Sequence, residues 1–151
     1  VLLQVRRSLR LFLSERTCLT DFTPFTGIGR ATALLYAAEG CKRIVIADFN
    51  VALLQEAKKQ IEQVNQGAEV LALAVDVRSD AAVEDMVHRA VEAFGRIDYC
   101  ANVAGILRFG DTSVLPLSDF EDVYQVNLRG TFLCAKAEIN AMLRQEPLKS
   151  R

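Results

Sequence analysis

Tryptophan is missing from this chain of 151 residues, which has one His, three Pro and eight Gly. So little Gly and Pro excludes a collagen-like repeat or a Pro/Gly-rich disordered chain. No apolar run approaches the ~20 residues that a membrane-spanning helix needs, so no integral membrane span is expected. The net charge of −1 supplies no global field for nucleic acid or anionic lipid, and no nucleic-acid partner is expected. With a single histidine, any Ser-His-Asp or Cys-His chemistry would have to run through His88. That residue sits between Val87 and Arg89 in a helical pattern and reads as a solvated helix position. Cys18, Cys41, Cys100 and Cys134 are scattered with no Cys-x-x-Cys pair, which argues against a zinc site or a disulfide scaffold. Four separate thiols suit a reducing compartment, and a cytoplasmic location is expected.

What remains is 51% hydrophobic and 25% charged, an ordinary domain able to bury roughly 70% of its unfolded surface. From Gly27 onward, short apolar runs alternate with amphipathic segments, the pattern of a parallel sheet wrapped by helices. Strands are predicted near residues 43–48, 70–76 and 97–103. Helices are predicted over 31–39, closed by Gly40, and over 51–66, capped by Asn50 and followed by Gly67. A third helix runs to Phe94 and Gly95 from a cap at Ser79 or Asp80. Ser118 and Glu121 have the spacing of a capping box opening a helix that leads toward Asn127, and another helical stretch runs over 131–143.

The start of the chain follows a different logic. Residues 1–25 are set apart as an atypical segment from 26–151, where the alternating pattern runs. On a helical wheel, residues 1–13 place Val1, Leu2, Val5, Leu9, Phe12 and Leu13 on one side and Arg6, Arg7 and Arg10 on the other. Such a basic amphipathic helix could target an organelle or lie on a membrane surface. The simpler expectation is that a chain starting at Val1 rather than Met is a fragment, or starts from a misread gene.

The strongest chemical signal is Thr26-Gly27-Ile28-Gly29-Arg30-Ala31 at the start of a helix, with Asp48 closing the following strand. Glycines there let a backbone approach a pyrophosphate and aim N–H groups and the helix N-terminus at it. An acidic side chain about 20 residues beyond such a turn is where a carboxylate accepts hydrogen bonds from the adenosine ribose hydroxyls. Asp76-Val77 follows the next strand, Asn102-Val103-Ala104-Gly105 the one after, and Tyr124-Gln125-Val126-Asn127-Leu128-Arg129-Gly130 occupies a later helix.

In this order the motifs resemble those of the short-chain dehydrogenase/reductase family over residues 26–143. The resemblance implies a doubly wound α/β Rossmann-like sheet, present here as its N-terminal half, with residues 26–151 a partial NAD(P)-binding Rossmann domain. It implies cofactor contacts from Gly27, Ile28, Gly29, Asp48, Asp76, Val77, Asn102, Ala104 and Gly105, with Asn127 in the place of the family's catalytic Asn. It further implies hydride transfer between a nicotinamide cofactor and a small-molecule carbonyl or alcohol, and a homo-oligomer among its expected assemblies. NAD is expected over NADP, because Asp48 would meet a 2′-phosphate with like charge and no Arg follows it directly.

Three departures qualify that reading. The family's first turn glycine falls on Thr23, a β-branched residue held extended by Pro24, so the tight turn is expected to be lost. The preceding strand falls on residues 16–22, polar for a strand buried on both faces, and its pairing is doubtful. The family's Tyr-x-x-x-Lys pair has no counterpart: Tyr36, Tyr99 and Tyr124 are followed four residues on by Gly40, Val103 and Leu128. The chain by itself is therefore expected to be inactive. Two other readings stay open: a non-catalytic nucleotide-binding or interaction module, and an extended-family nucleotide-sugar epimerase or reductase.

Overall fold

A computed structural model describes residues 16–21 and 27–147. The amphipathic segment at 1–13 and the turn at Thr23-Pro24 lie outside the described residues. The chain forms a four-stranded parallel sheet in the order β3-β2-β1-β4. Its strands are β1 (Thr17–Asp21), β2 (Arg43–Asp48), β3 (Glu69–Ala74) and β4 (Tyr99–Ala101). Helices α1 (Ile28–Ala38), α2 (Val51–Val64) and α3 (Asp80–Phe94) connect them in turn. After β4 come α4 (Leu117–Val123), a wide π turn over Tyr124–Gly130, and α5 (Thr131–Leu143). Among the described residues, no helix is long and apolar enough to cross a membrane.

The period-2 alternation of each strand divides the core into two layers. Cys18 of β1, Ile44 and Ile46 of β2 and Val70 of β3 face Ala33 and Ala37 of α1 and Leu54, Ala57 and Ile61 of α2. Leu19, Val45, Ala47 and Leu73 face the other way, onto Val83, Met86, Val87 and Ala90 of α3 and Leu133 and Cys134 of α5. Caps fall where side chains can reach the open N–H groups: Asn50 Oδ1 accepts from Ala52 and Leu53, and Ser79 Oγ from Ala82. Gly40 and Gly95 take positive φ just past α1 and α3, a conformation that favours glycine. His88 is exposed on α3, as its helical pattern predicted.

Two expectations are corrected. The doubtful strand is an inner strand of the sheet: all five β1 residues are buried, paired to β2 on one side and β4 on the other. Its polarity is met in part by partners, although Thr17 Oγ1 is buried without one among the described residues. The Asp98 carboxylate accepts the Thr17 N–H at 2.9 Å and pairs with Arg16, while Thr20 Oγ1 donates to the Asp21 carbonyl. Threonine is also β-branched and fits a pleated surface. β1 lies within the 1–25 segment set apart on sequence, so the sheet draws one of its two inner strands from there. The second correction is at α4, which starts one residue before Ser118, with Pro116 at its N-cap and no capping-box bond. Proline's fixed φ already suits the entry to a helix, and Asp119 supplies the first-turn negative charge.

Candidate functional site

The parallel strands end together, and their carboxyl ends carry the acidic side chains. Asp21 ends β1, Asp48 ends β2 and Asp76 follows β3; all three line one cavity of about 210 Å³, with Val77, Arg78 and Ala104. The cavity lies beside the point where the strand order reverses, between β1 and β4, the place where open α/β sheets bind ligands. Its volume is below the ~300–1,000 Å³ of drug-sized sites and suits a nucleoside portion of a larger ligand.

Asp48 is buried, and its Oδ1 accepts the Asn50 N–H at 2.8 Å. Burial pushes its carboxyl above the usual carboxylate range, while the N–H groups of Asn50 and Phe49 pull the other way. Asp76 is held differently. Arg78 Nε lies 3.0 Å from both its oxygens and Nη2 2.7 Å from Oδ2, which holds the carboxyl below its ordinary value. Arg78 is fixed in turn, since Arg129 Nη1 donates to its carbonyl at 2.5 Å. Val77 has a steric role as well: a Cβ built on Gly130 would stand 2.8 Å from Val77 Cγ2, so the π turn packs on it only as glycine.

Gly27 has φ +60 at the N-cap of α1, and a Cβ built there would meet nothing within 4 Å. Lacking a side chain, it supplies no acceptor to the first-turn N–H groups, whose positive end is the arrangement that receives a phosphate. Ile28 is exposed in that turn and Gly29 is buried. Among the described residues, the cavity lining includes Asp48, Asp76, Val77 and Ala104 of the expected set; Gly27, Ile28, Gly29, Asn102, Gly105 and Asn127 stand outside it.

Asn127 sits within the π turn, and its amide brackets one residue of the segment after β4. Its Oδ1 accepts the Ile106 N–H at 2.7 Å and its Nδ2 donates to the Ile106 carbonyl at 2.9 Å. Gly105 lies under this amide, where an added Cβ would be 3.4 Å from Asn127 Oδ1. Asn102 turns away from solvent, donating from Nδ2 to Glu138 Oε2 at 2.8 Å.

Three contributors escaped the sequence reading: Asp21, whose carboxylate accepts the N–H groups of Val103 and Ala104; Arg78; and Glu138, only 3% exposed. Glu138 did leave a signal. It lies four residues after Cys134 in a helix whose buried face also carries Leu133, so the spacing puts it on the inner face. Among the described residues no cluster of three His, Cys, Asp or Glu side chains could hold a metal ion.

A parallel sheet with acidic side chains at its carboxyl ends and a glycine-opened helix defines a Rossmann-like α/β fold. Comparison with known proteins narrows the class. The sequence model of the short chain dehydrogenase family matches residues 24–147. The short-chain dehydrogenase anuF of Penicillium roqueforti is 39% identical over 124 residues, covering 80% of this chain and 45% of that protein. The crystal structure of levodione reductase superposes with a TM-score of 0.78 at 32% identity, covering 86% of this chain and 50% of the other. That of NAD+-bound xylitol dehydrogenase gives 0.77 at 31% identity, covering 87% and 49%. The chain belongs to the short-chain dehydrogenase/reductase family, and it spans about half the length of the relatives it matches.

Proposed function

We propose that this chain is the cofactor-binding half of an NAD-dependent oxidoreductase acting on a small-molecule carbonyl or alcohol. The observation that carries the reading is Asp48, buried at the end of β2 and lining the cavity between the strand ends. In this role its carboxylate accepts the adenosine ribose hydroxyls, and Asp76 and Val77 border the adenine. Gly27, Ile28 and Gly29 give the pyrophosphate backbone N–H groups and the positive end of α1. Asn102, Ala104 and Gly105 form the wall after β4, which Asn127 holds through Ile106. The nicotinamide ring, when bound, supplies or takes the hydride.

NAD is the favoured cofactor, because a 2′-phosphate would have to approach the Asp48 carboxylate. Arg30, a cation on the first turn of α1, is drawn toward Glu56 at 3.5 Å. The NAD+-bound xylitol dehydrogenase among the structural relatives agrees with this preference. The substrate half of the reaction needs a proton donor at neutral pH, which the family places in Tyr-x-x-x-Lys. No tyrosine of this chain has a Lys four residues on, so the 151 residues by themselves bind cofactor without turning it over. A cytoplasmic location and assembly with a second copy belong to the same proposal. The exposed apolar side chains of Leu117, Phe120, Leu128 and Phe132 support the assembly.

Titration calorimetry of the chain with NAD and with NADP tests the reading, with Asp48→Ala as the variant. NAD should bind more tightly, and the variant should lose about tenfold or more in NAD affinity, as expected for a lost hydrogen bond to a charged group. Tighter binding of NADP, or a preference unchanged by Asp48→Ala, would overturn it.

A further inference from the structure

Behind the segment that follows β4 lies a polar cluster that the cofactor reading does not use. Glu138 of α5 is 3% exposed, and its Oε2 accepts from Asn102 Nδ2 at 2.8 Å. Its other oxygen, Oε1, is buried without a partner among the described residues, and so is Oδ1 of Asn102. Two acceptors are thus left over on two groups already joined by one hydrogen bond. An ionised carboxylate has nothing to donate to an amide oxygen, whereas a carboxylic acid has one O–H. Acid and primary amide are complementary on both edges, each offering one donor and one acceptor.

We propose that Glu138 positions the Asn102–Gly105 segment as a neutral carboxylic acid, its Oε1–H donating to Asn102 Oδ1 while Asn102 Nδ2 donates to Oε2, so that the two side chains close a cyclic acid–amide pair. The surroundings favour the proton. Cys100 of β4 and Asp21 of β1 face the carboxyl, and Cys134 lies one turn earlier on the same helix. Helix α3, packed against α5, brings the apolar Val83, Met86, Val87 and Ala90 to that core. No cation is among the described groups that act on the carboxyl. Burial is the largest influence and pushes Glu138 upward, and the Asp21 carboxylate adds to it by repelling a second negative charge, while hydrogen bonding to Asn102 and to the Cys100 thiol pulls the other way. Asn102 opens the Asn-Val-Ala-Gly run, and Ala104 lines the cavity, so fixing this amide fixes one wall of the site.

Infrared difference spectra of the intact chain at neutral pH test the pairing without any cofactor, so the outcome is separable from that of the hydride-transfer reading. Subtracting Glu138→Gln from wild type should reveal the C=O stretch of a protonated carboxyl. Asn102→Ala should move that band to higher wavenumber, because the amide donor is gone. A difference spectrum holding only carboxylate bands overturns the neutral acid, and a band that Asn102→Ala leaves in place overturns the pair. Asp21→Asn, measured in parallel, separates any band of the second carboxyl. Positioning is read by hydrogen exchange at the Val103 and Ala104 amides. Glu138→Leu should speed it about tenfold, a shift of roughly one lost hydrogen bond, while Glu138→Gln keeps the wild-type rate because an amide can close the same ring. Equal exchange in all three proteins overturns the positioning role, and if Glu138→Leu does not fold, Asn102→Ala serves as the broken pair.

Discussion

Asp21 and Ala104 are 83 residues apart in sequence, and Ala104 donates its N–H to Asp21 Oδ1 at 2.8 Å. The same oxygen accepts the Val103 N–H, so one carboxylate at the end of β1 holds two successive amides after β4. Burial pushes this carboxyl above its ordinary range despite those bonds. Folding therefore takes up protons at Asp21, and stability falls as pH rises from the ordinary Asp value, about 3.9, through the higher native one. Asp21→Asn keeps an oxygen for both amides and removes the charge. It should flatten this part of the pH dependence and be at least as stable as wild type at pH 8 in urea titrations. Asp21→Ala leaves two amides without an acceptor and should cost about 1–3 kcal/mol.

Gly130 sets helix propensity against packing. Alanine would gain up to ~1 kcal/mol in a helical position, but its Cβ would stand 2.8 Å from Val77 Cγ2 and 3.2 Å from Val77 Cβ. Overpacking of that kind costs ~1–3 kcal/mol, so Gly130→Ala should lose about 1–2 kcal/mol net. In a Val77→Ala background the 2.8 Å contact is gone while the 3.2 Å contact to Cβ stays, so the same substitution should cost clearly less. A double-mutant cycle by denaturant unfolding measures the coupling, and additivity of the two changes would contradict the contact.

Asn127→Ala removes both hydrogen bonds to the Ile106 backbone. Because Asn127 is exposed, water replaces them in part, and the global cost should stay near 1 kcal/mol. The Ile106 amide should nonetheless exchange faster while amides in α2 do not change. Unaltered exchange at Ile106 would show that the bracket does not hold the segment.

The chain should give no NADH-dependent carbonyl reduction on its own, since none of Tyr36, Tyr99 and Tyr124 has a Lys four residues on. Supplying a downstream half that carries Tyr-x-x-x-Lys, as a fusion, should restore turnover. Measurable turnover by the 151 residues alone refutes the first statement. A fused protein that binds NAD but stays inert favours the non-catalytic module.

Most of the sheet was legible because its strands are written in apolar residues: β2 reads Arg-Ile-Val-Ile-Ala-Asp and pairs as the pattern predicts. β1 was not, because Thr17, Thr20 and Asp21 look like surface residues until the partners at Asp98, Val103 and Ala104 are known, and those lie over 80 residues away. Local signals did well where the physics is local, as at the Asn50 and Ser79 caps, and failed at Ser118, where Pro116 set the helix entry instead. In the site, spacing located Asp48 and Asp76 at the strand ends. It could not show that Arg78 grips one and burial surrounds the other, or that Asn102 would meet Glu138, because those contacts are made by folding rather than by neighbours in sequence.

The strand order also governs how the molecule can be assembled in time. β2, α2 and β3 are consecutive in sequence, with Glu69 to Ala74 paired to Arg43 to Asp48, and can meet soon after they leave a ribosome. β1 leaves first but has its second neighbour only when β4 arrives, and Thr17 waits 81 residues for the carboxylate of Asp98. During that interval the side of β1 that β4 will cover is an open template, the kind of unpaired strand edge on which a nascent chain can be captured by another.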